Sequence, residues 1–166
     1  MIRSAVPGDA QRLCEIYNYY VLNDVATFEE EPVSVEEMRR RVDDVQKHFF
    51  WLVYEDGGEV AGYAYAGKWK TRAAYRHSVE LSVYVSAERQ KRGIGTQLYA
   101  ELLRLLGETN VHSVIGGVAG NNRASFALHL SFGFEQVAHL REVGRKFGQW
   151  IDVTYFQLLL PHLPGE

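Results

Sequence analysis

The stretch Val79–Thr96, VELSVYVSAERQKRGIGT, decides the fold, because it passes from a strand through a glycine-bearing turn into a helix. Apolar and polar side chains alternate over Val79–Val85, as expected for a strand with two different faces. From Ile94 onward, apolar residues recur at helical spacing. A basic glycine turn that leads into a helix forms a cradle for anions, since unpaired N–H groups point outward and the helix dipole favours negative charge. The stretch therefore predicts a site for a phosphate-bearing ligand.

The glycine spacing narrows the type of phosphate site. A dinucleotide fingerprint, G-x-G-x-x-G, lacks its third glycine because Leu98 stands there, and the chain has no G-x-x-x-x-G-K-[ST] run. The turn instead reads Q-x-x-G-x-G, which resembles the pyrophosphate-binding turn of the GNAT superfamily of acetyl-CoA-dependent N-acetyltransferases. The resemblance implies acetyl-CoA as the cofactor. It also implies that backbone amides hold the pyrophosphate at Lys91, Arg92, Gly93, Ile94, Gly95 and Thr96.

The remaining pattern predicts the order β-α-α-β-β-β-α-β-α-β-β. Asp9 and Ser34 are candidate caps for the first two helices, and Asp56-Gly57-Gly58 is a hairpin turn. This order matches the acetyltransferase fold, an α/β (α+β) architecture in which helices flank one mixed, mostly antiparallel sheet. The length of 166 residues and the absence of a linker or repeat predict a single domain over residues 1–166.

Composition excludes several functional classes. The net charge of −3 gives no reason to expect nucleic acid or an anionic membrane as partner. One cysteine, Cys14, allows no disulfide within the chain, and no apolar run suits a signal peptide or membrane span, so the cytoplasm is expected. No metal is expected, because ligand spacing is missing at the histidines His48, His77, His112, His139 and His162.

Four separated segments resemble one branch of the superfamily, the phosphinothricin and methionine sulfoximine acetyltransferases. The segments are ATFEEEP, WKTRAAYRHSVELSVYV, GNNRASFALHLSFGF and VGRKFGQWIDVTYFQLLL. The resemblance implies a small amino-acid-like substrate and a homodimer. The apolar C-terminal strand is a candidate for the dimer interface, although core packing explains its composition equally well. The Lys146-Phe147-Gly148 turn resembles members that act on methionine sulfoximine and methionine sulfone rather than on phosphinothricin alone.

Acetyl transfer to an amine needs a base, donors for a developing oxyanion and a proton for the departing thiolate. Glu80, on the polar face of its strand, is the candidate base, and burial would raise its pKa toward a useful range. The alternative is an exposed glutamate or an ion pair with Arg76. The resemblance further implies that a bulge in this strand frees backbone at Val83, Tyr84 and Val85 for the cofactor.

Two residues of the following helix carry further predictions. Asn122 matches the position that binds the pantetheine arm, while helix capping explains it equally well. His129 stands where many members of the superfamily have a tyrosine that protonates the leaving thiolate. It is the candidate general acid, although packing in the core is the favoured alternative.

Substrate contacts are expected from a basic loop, an aromatic residue and the base-bearing strand. Arg72 and Arg76 can pair with a carboxylate or a phosphinate, and Phe28 can wall the pocket. Solvated charge and core packing explain these residues equally well. The full predicted set is Phe28, Lys70, Thr71, Arg72, Arg76, Glu80, Leu81 and Ser82.

Two other functions stay open on the sequence. The chain could acetylate a different amine, such as a protein N-terminus, a polyamine or an aminoglycoside, and Glu29-Glu30-Glu31 could then supply an acidic surface. It could also be a non-catalytic sensor that binds acyl-CoA, which the presence of Glu80 disfavours.

Overall fold

The computed structural model describes residues 1–161, and within them it contains one sheet of seven strands and four α-helices. The strands are β1 (Ile2–Ser4), β2 (Trp51–Asp56), β3 (Glu59–Lys68), β4 (Ser78–Val85), β5 (Ser113–Ala119), β6 (Glu135–Lys146) and β7 (Gln149–Leu159). The helices are α1 (Ala10–Asn23), α2 (Val35–Gln46), α3 (Ile94–Leu106) and α4 (Arg123–Ser131). None of these helices is both long and apolar enough to span a bilayer. Residues 162–166, which include His162 and the end of the predicted domain, lie outside the described part.

The strand order is β1-β2-β3-β4-β5-β7-β6, and every neighbouring pair is antiparallel except β4 and β5. This confirms the predicted mixed, mostly antiparallel sheet. The parallel β4–β5 pair requires a crossover, and α3 provides it, since the glycine turn leads from β4 into that helix.

The two faces of the sheet carry separate hydrophobic cores. One core packs α3 against β3, β4 and β5 through residues such as Leu98, Leu102 and Val114. The other packs α1 and α2 against β2 and β3 through residues such as Leu13 and Met38. The alternation of β4 divides its side chains between these faces, with Val79 and Leu81 in the first core.

Strands β4 and β5 separate toward their C-terminal ends. Their ladder ends at the Leu81–Gly116 pair, although β4 continues to Val85 and β5 to Ala119. A wedge therefore opens between them. The predicted bulge in β4 was wrong, because β4 keeps a regular register with β3 from Gly62–Val85 to Lys68–Val79. The early end of the β4–β5 ladder, rather than an extra residue, frees the backbone of β4.

Candidate active site

The main chain of β4 offers hydrogen-bond donors to the wedge. The N–H of Ser86 donates to the carbonyl of Ala61, at 2.9 Å, just beyond the end of the β3–β4 ladder. Because alternate residues of an antiparallel strand bond to the partner strand, Tyr84 also bonds toward β3. The main-chain N–H groups of Val83 and Val85 then point into the wedge, while the carbonyl of Val85 accepts from the Tyr20 hydroxyl. Of the predicted cofactor residues on β4, these two have backbone available to a ligand.

The side chain of Tyr84 lies in an aromatic cluster on the α1 face. Its ring contacts Tyr17, Tyr20 and Tyr63 at centroid distances of 5.2, 5.3 and 5.4 Å. The Tyr20 hydroxyl donates to the carbonyl of Val85 at 2.5 Å and accepts from the side chain of Gln90 at 3.1 Å. This cluster fixes the open end of β4 and the start of the glycine turn against α1.

The glycine turn has the backbone conformation of an anion cradle. Lys91 and Gly93 have positive φ angles of 62° and 75°, and Gly93 is the N-cap of α3. No side chain caps this helix, so its first N–H groups stay available. Lys91, Arg92 and Thr96 are exposed around them. The turn brings the predicted pyrophosphate residues together at a positive helix end.

Asn122 caps α4, as the alternative interpretation proposed. Its side-chain oxygen accepts from the N–H of Ser125 at 3.0 Å. Capping uses only the oxygen of the amide, and the residue is exposed beyond the C-terminal end of β5. The amide nitrogen can therefore still donate to a ligand in the wedge.

Glu80 lies half-buried on the α1 face of β4, beside the point where the wedge begins. A Cβ atom at Gly117 of β5 would lie 3.1 Å from Glu80 Oε1 and 3.1 Å from the ring of Tyr155. Gly117 is exposed, so the carboxylate faces an open surface that only a glycine leaves free. Burial raises the pKa of Glu80, and the charge of Lys70 opposes part of that rise. The raised pKa makes this carboxylate a stronger base than an exposed glutamate.

Lys70 of the predicted basic loop lies close enough to the Glu80 carboxylate to affect its pKa. Two aromatic residues that were not predicted from the sequence connect this lysine to the sheet. Lys70 Nζ lies 4.6 Å from the ring centroid of Trp69, and Trp69 meets Tyr155 edge-to-face at 5.5 Å. Trp69 belongs to a segment used for the resemblance, but no local signal assigned it a role. Tyr155 of β7 becomes a neighbour of Glu80 only through the sheet order.

The rest of the loop is solvent-exposed. Thr71, Arg72 and Arg76 are all exposed, and Arg76 donates to the carbonyl of Ala73 at 3.3 Å rather than pairing with Glu80. The two arginines therefore stay available to a ligand. Leu81 is only 4% exposed and lies in the α3 core, on the opposite face from Glu80, so its side chain does not reach this surface.

Phe28 lies on the same face as Glu80, at the far end of the sheet. The segment 24–33, which joins α1 to α2, crosses the C-terminal strand ends, and we call it the strap. A Cβ atom at Gly120, just beyond β5, would lie 3.4 Å from Val25, and one at Gly144 of β6 would lie 2.3 Å from Phe28. The strap thus places the exposed Phe28 ring against Gly144 of β6.

His129 is enclosed on the opposite face. It is 3% exposed, and its ring stacks on Phe156 at 5.1 Å. Its Nδ1 lies 2.7 Å from the carbonyl of Ser125, which can only accept, so Nδ1 carries the proton and Nε2 accepts from Tyr99 at 3.1 Å. Burial lowers the pKa of His129, so the ring is neutral. This geometry favours packing over the predicted role of proton donor.

The negative charge of Glu29, in the strap, is balanced by neighbouring side chains. Arg41 of α2 donates to both of its carboxylate oxygens, at 2.6 and 2.9 Å, and the Tyr17 hydroxyl also donates to it. The pairing with Arg41 lowers the pKa of Glu29. Of the acidic run considered for a cationic substrate, only Glu30 and Glu31 therefore lie exposed.

No group of three or more histidine, cysteine, aspartate or glutamate side chains within residues 1–161 is arranged to hold a metal ion.

Sequence comparison finds relatives over nearly the whole chain. The family model described as an acetyltransferase (GNAT) domain matches residues 2–155. A phosphinothricin N-acetyltransferase of Streptomyces viridochromogenes is 38% identical over 94% of this chain and 85% of its own length. An L-methionine sulfoximine/L-methionine sulfone acetyltransferase of Salmonella typhimurium is 36% identical over 96% of this chain and 94% of its own length.

Solved structures share the fold closely. A phosphinothricin acetyltransferase of Sinorhizobium meliloti, in complex with acetyl-CoA, superposes with a TM-score of 0.94 at 38% identity, over 96% of this chain and 88% of that one. A structure described as ribosomal-protein-alanine N-acetyltransferase from Brucella melitensis has a TM-score of 0.94 at 40% identity, over 96% of this chain and 99% of that one.

Proposed function

The chain belongs to the GNAT family of acetyltransferases, and from this premise we propose that it acetylates the α-amino group of a small amino-acid analogue, with Glu80 as general base. The observation that carries the proposal is the half-buried Glu80 carboxylate, which faces the exposed Gly117 where β4 and β5 separate. The analogues in question are methionine sulfoximine, methionine sulfone and phosphinothricin, which the names of the relatives support.

The residues of the wedge fit acetyl-CoA, the cofactor seen in the Sinorhizobium structure. Acetyl-CoA supplies the acetyl group as a thioester. The uncapped N-terminus of α3, with Lys91 and Arg92 beside it, suits its pyrophosphate. The N–H groups of Val83 and Val85 face the wedge and are available to a carbonyl oxygen, where they stabilise developing negative charge. The side-chain nitrogen of Asn122 is available to the amide-bearing arm of the cofactor.

Glu80 removes the proton that keeps the substrate amine from acting as a nucleophile. Its raised pKa brings the carboxylate closer to the ideal for a base at neutral pH. For an amino-acid analogue, Lys70, Arg72 and Arg76 offer cations for the carboxylate or the tetrahedral group. Ser82 lies on the same face of β4 as Glu80. Phe28 walls the pocket on the side of β6. His129 supports the sheet from the other face and holds the Tyr99 hydroxyl.

The test measures thiol release from acetyl-CoA in the presence of one acceptor amine at a time. The acceptors are methionine sulfoximine, methionine sulfone, phosphinothricin, spermidine, an aminoglycoside and a peptide with N-terminal alanine. We expect turnover with the first three only. Turnover confined to the cationic amines or the peptide would refute the proposed substrate class. Bound acetyl-CoA without any turnover would favour the sensor function.

One observation favours a second candidate, acetylation of a protein N-terminus. The Brucella structure, described as a ribosomal-protein-alanine N-acetyltransferase, is 40% identical to this chain. The alanine peptide in the panel decides between the two functions. Pairing of Glu29 with Arg41 removes one carboxylate from the acidic surface that polyamines and aminoglycosides would need.

The resemblance implied a homodimer. Strand β6 offers a more suitable surface for its interface than β7 does. β7 is paired on both sides, and its Phe156 is 1% exposed. β6 is an edge strand, and its Val137, Leu140 and Val143 are 53%, 42% and 55% exposed. Light scattering of the purified protein tests the assembly, and a cytoplasmic location stays a prediction.

A further inference from the structure

Lys146 is a buried cation at the end of β6. It is 2% exposed, and its Nζ donates to three backbone carbonyls, those of Tyr20 at 3.3 Å, Asp24 at 2.6 Å and Thr27 at 2.8 Å. An ammonium group has three N–H donors, so these three carbonyls use all of them. Burial lowers the pKa of Lys146, while three acceptors can be satisfied together only by the protonated form.

These three carbonyls belong to the end of α1 and to the strap. The carbonyl of Tyr20 lies in the last turn of α1, where the helix dipole is negative and a cation is stabilised. Asp24 and Thr27 begin the strap, directly before Phe28. One side chain of β6 therefore joins the last turn of α1 to the start of the strap.

A second contact between β6 and the strap lies beside the first. Gly144, two residues before Lys146, has Phe28 so close that a Cβ atom there would lie 2.3 Å from its ring. Lys146 thus holds the backbone before Phe28, and Gly144 leaves room for the ring. Glu29, directly after Phe28, is held by Arg41 of α2.

We propose that Lys146 is a positioning residue for the substrate, because it holds the strap so that Phe28 stands over Gly144 as the wall of the pocket. The proposal rests on the proposed function, which places Phe28 in the pocket. Lys146 itself does not touch the substrate. It acts through the three carbonyls and the Phe28 ring.

The sequence linked substrate preference to the Lys146-Phe147-Gly148 turn as a whole. The geometry indicates that Lys146 is the residue of this turn that affects the pocket. Phe147 is 56% exposed at the tip of the hairpin, with a φ of +49°. Lys146 is the member of the turn that reaches the strap. The centroid of the Phe147 ring lies 5.0 Å from Lys146 Nζ. Variation at Phe147 would therefore change the surface and the cover of the Lys146 ammonium, whereas a change at Lys146 would move the pocket wall directly.

Lys146→Met tests the proposal, since it keeps the apolar stem and removes the donors. We expect the KM for methionine sulfoximine to rise about ten- to hundred-fold, in line with the loss of hydrogen bonds from a charged group. The KM for acetyl-CoA and kcat should stay within about threefold, because the wedge and Glu80 are untouched. Lys146→Arg should restore part of the affinity. Lys47→Met, which removes an exposed lysine at the end of α2, is the matched control and should change neither KM.

Two further measurements separate positioning from general stability. In a Phe28→Ala background, Lys146→Met should add little to the KM, because the wall is already gone. Should Lys146→Met not fold, Gly144→Ala displaces Phe28 from the other side without removing a hydrogen bond, and it should raise the same KM. A lowered melting temperature with unchanged KM values in both variants would overturn the proposal.

Amide hydrogen exchange of residues 24–33 gives a readout that needs no activity. Exchange in the strap should be faster in Lys146→Met and unchanged in Lys47→Met. If the wild type acetylates no amino acid while the strap still exchanges faster in Lys146→Met, the proposed function fails. The role of Lys146 in holding the strap is then still supported. If the strap exchanges at the wild-type rate, the positioning role is refuted whatever the enzyme acetylates.

Discussion

Glu80 and His129 lie on opposite faces of the sheet, and burial favours the neutral form of both. Burial raises the pKa of Glu80 and lowers the pKa of His129. Their surroundings nevertheless differ. Glu80 faces the exposed Gly117, whereas both ring nitrogens of His129 have partners and a Cβ atom at Gly116 would lie 2.0 Å from Nε2.

The comparison shows that a perturbed pKa does not by itself identify a catalytic group. Adjacent glycines of β5 point to opposite faces, and each leaves space for one of these groups. At Gly116 the space is filled by His129, so the glycine serves packing. At Gly117 the space is open to solvent, so the glycine serves access. Access and an unused lone pair are what distinguish a base from a core residue.

The largest expected effect is the loss of activity in Glu80→Gln. Without a base, kcat/KM for methionine sulfoximine should fall by about 10²- to 10⁴-fold at pH 7, because the amine stays protonated. Steady-state kinetics measure it, and acetyl-CoA affinity should not change. Unaltered turnover would remove Glu80 from the mechanism.

The His129→Ala variant should lose stability rather than chemistry. Removing a buried aromatic side chain leaves a cavity and costs about 2–5 kcal/mol of unfolding free energy. Urea denaturation measures the loss, and active-site titration should give a kcat per folded molecule within about threefold of wild type. A normal stability with a kcat lowered by 10²-fold or more would instead make His129 the proton donor. Tyr99→Phe, which removes only the hydroxyl partner, is the control and should cost about 1 kcal/mol.

The paired variants Gly116→Ala and Gly117→Ala test the two faces directly. A methyl group at Gly116 collides with His129, so we expect the lower melting temperature there. A methyl group at Gly117 lies 3.1 Å from Glu80 Oε1, so the carboxylate must shift and kcat/KM should fall several-fold at nearly unchanged stability. Equal effects of the two variants on stability and activity would contradict the assignment of one glycine to packing and the other to access.

The smallest effect concerns how stability depends on pH. The folded-state pKa of Glu80 is raised, so its contribution is fully present below the ordinary value of 4.5 and is lost as pH rises through the folded pKa. Glu80→Gln should therefore be slightly more stable than wild type at pH 7 and equal to it near pH 4. Thermal unfolding at both pH values measures the difference, and a destabilised variant at pH 7 would show that the carboxylate supports the fold.

The contribution of His129 to stability depends on pH in the opposite direction. Its folded-state pKa lies below the ordinary value of 6.5, so the unfolded chain binds the proton first. Stability should fall as pH drops from about 6.5 toward the folded pKa of His129. This part of the slope should be absent in His129→Gln.

The sequence predicted the fold and the strand-turn-helix of Val79–Thr96 well, since both depend on local signals. Alternation in Val79–Val85 and the glycines of the turn act through neighbouring residues, and the structure has the strand, turn and helix that they predict. A bulge was predicted to free the backbone of β4, and that bulge is absent. The length of a ladder depends on which strand lies beside β4, and no local pattern encodes that.

The proposed substrate surface was less predictable, because it is assembled from distant strands. Tyr155 reaches Glu80 only because β7 lies next to β5. Lys146 looks like a solvated residue of a hairpin turn, yet its Nζ contacts carbonyls 119 to 126 positions away in the chain. Leu81 was assigned to the substrate by its position beside Glu80, but the alternation of the strand turns it into the opposite core.

The most direct test of the account is the pH dependence of kcat/KM for methionine sulfoximine in wild type and in Glu80→Gln. The account predicts an acidic limb in the wild type, with a midpoint above the ordinary 4.5 of a glutamate, that disappears in Glu80→Gln. An identical acidic limb in both proteins would contradict it, because the proton would then be removed by a group other than Glu80.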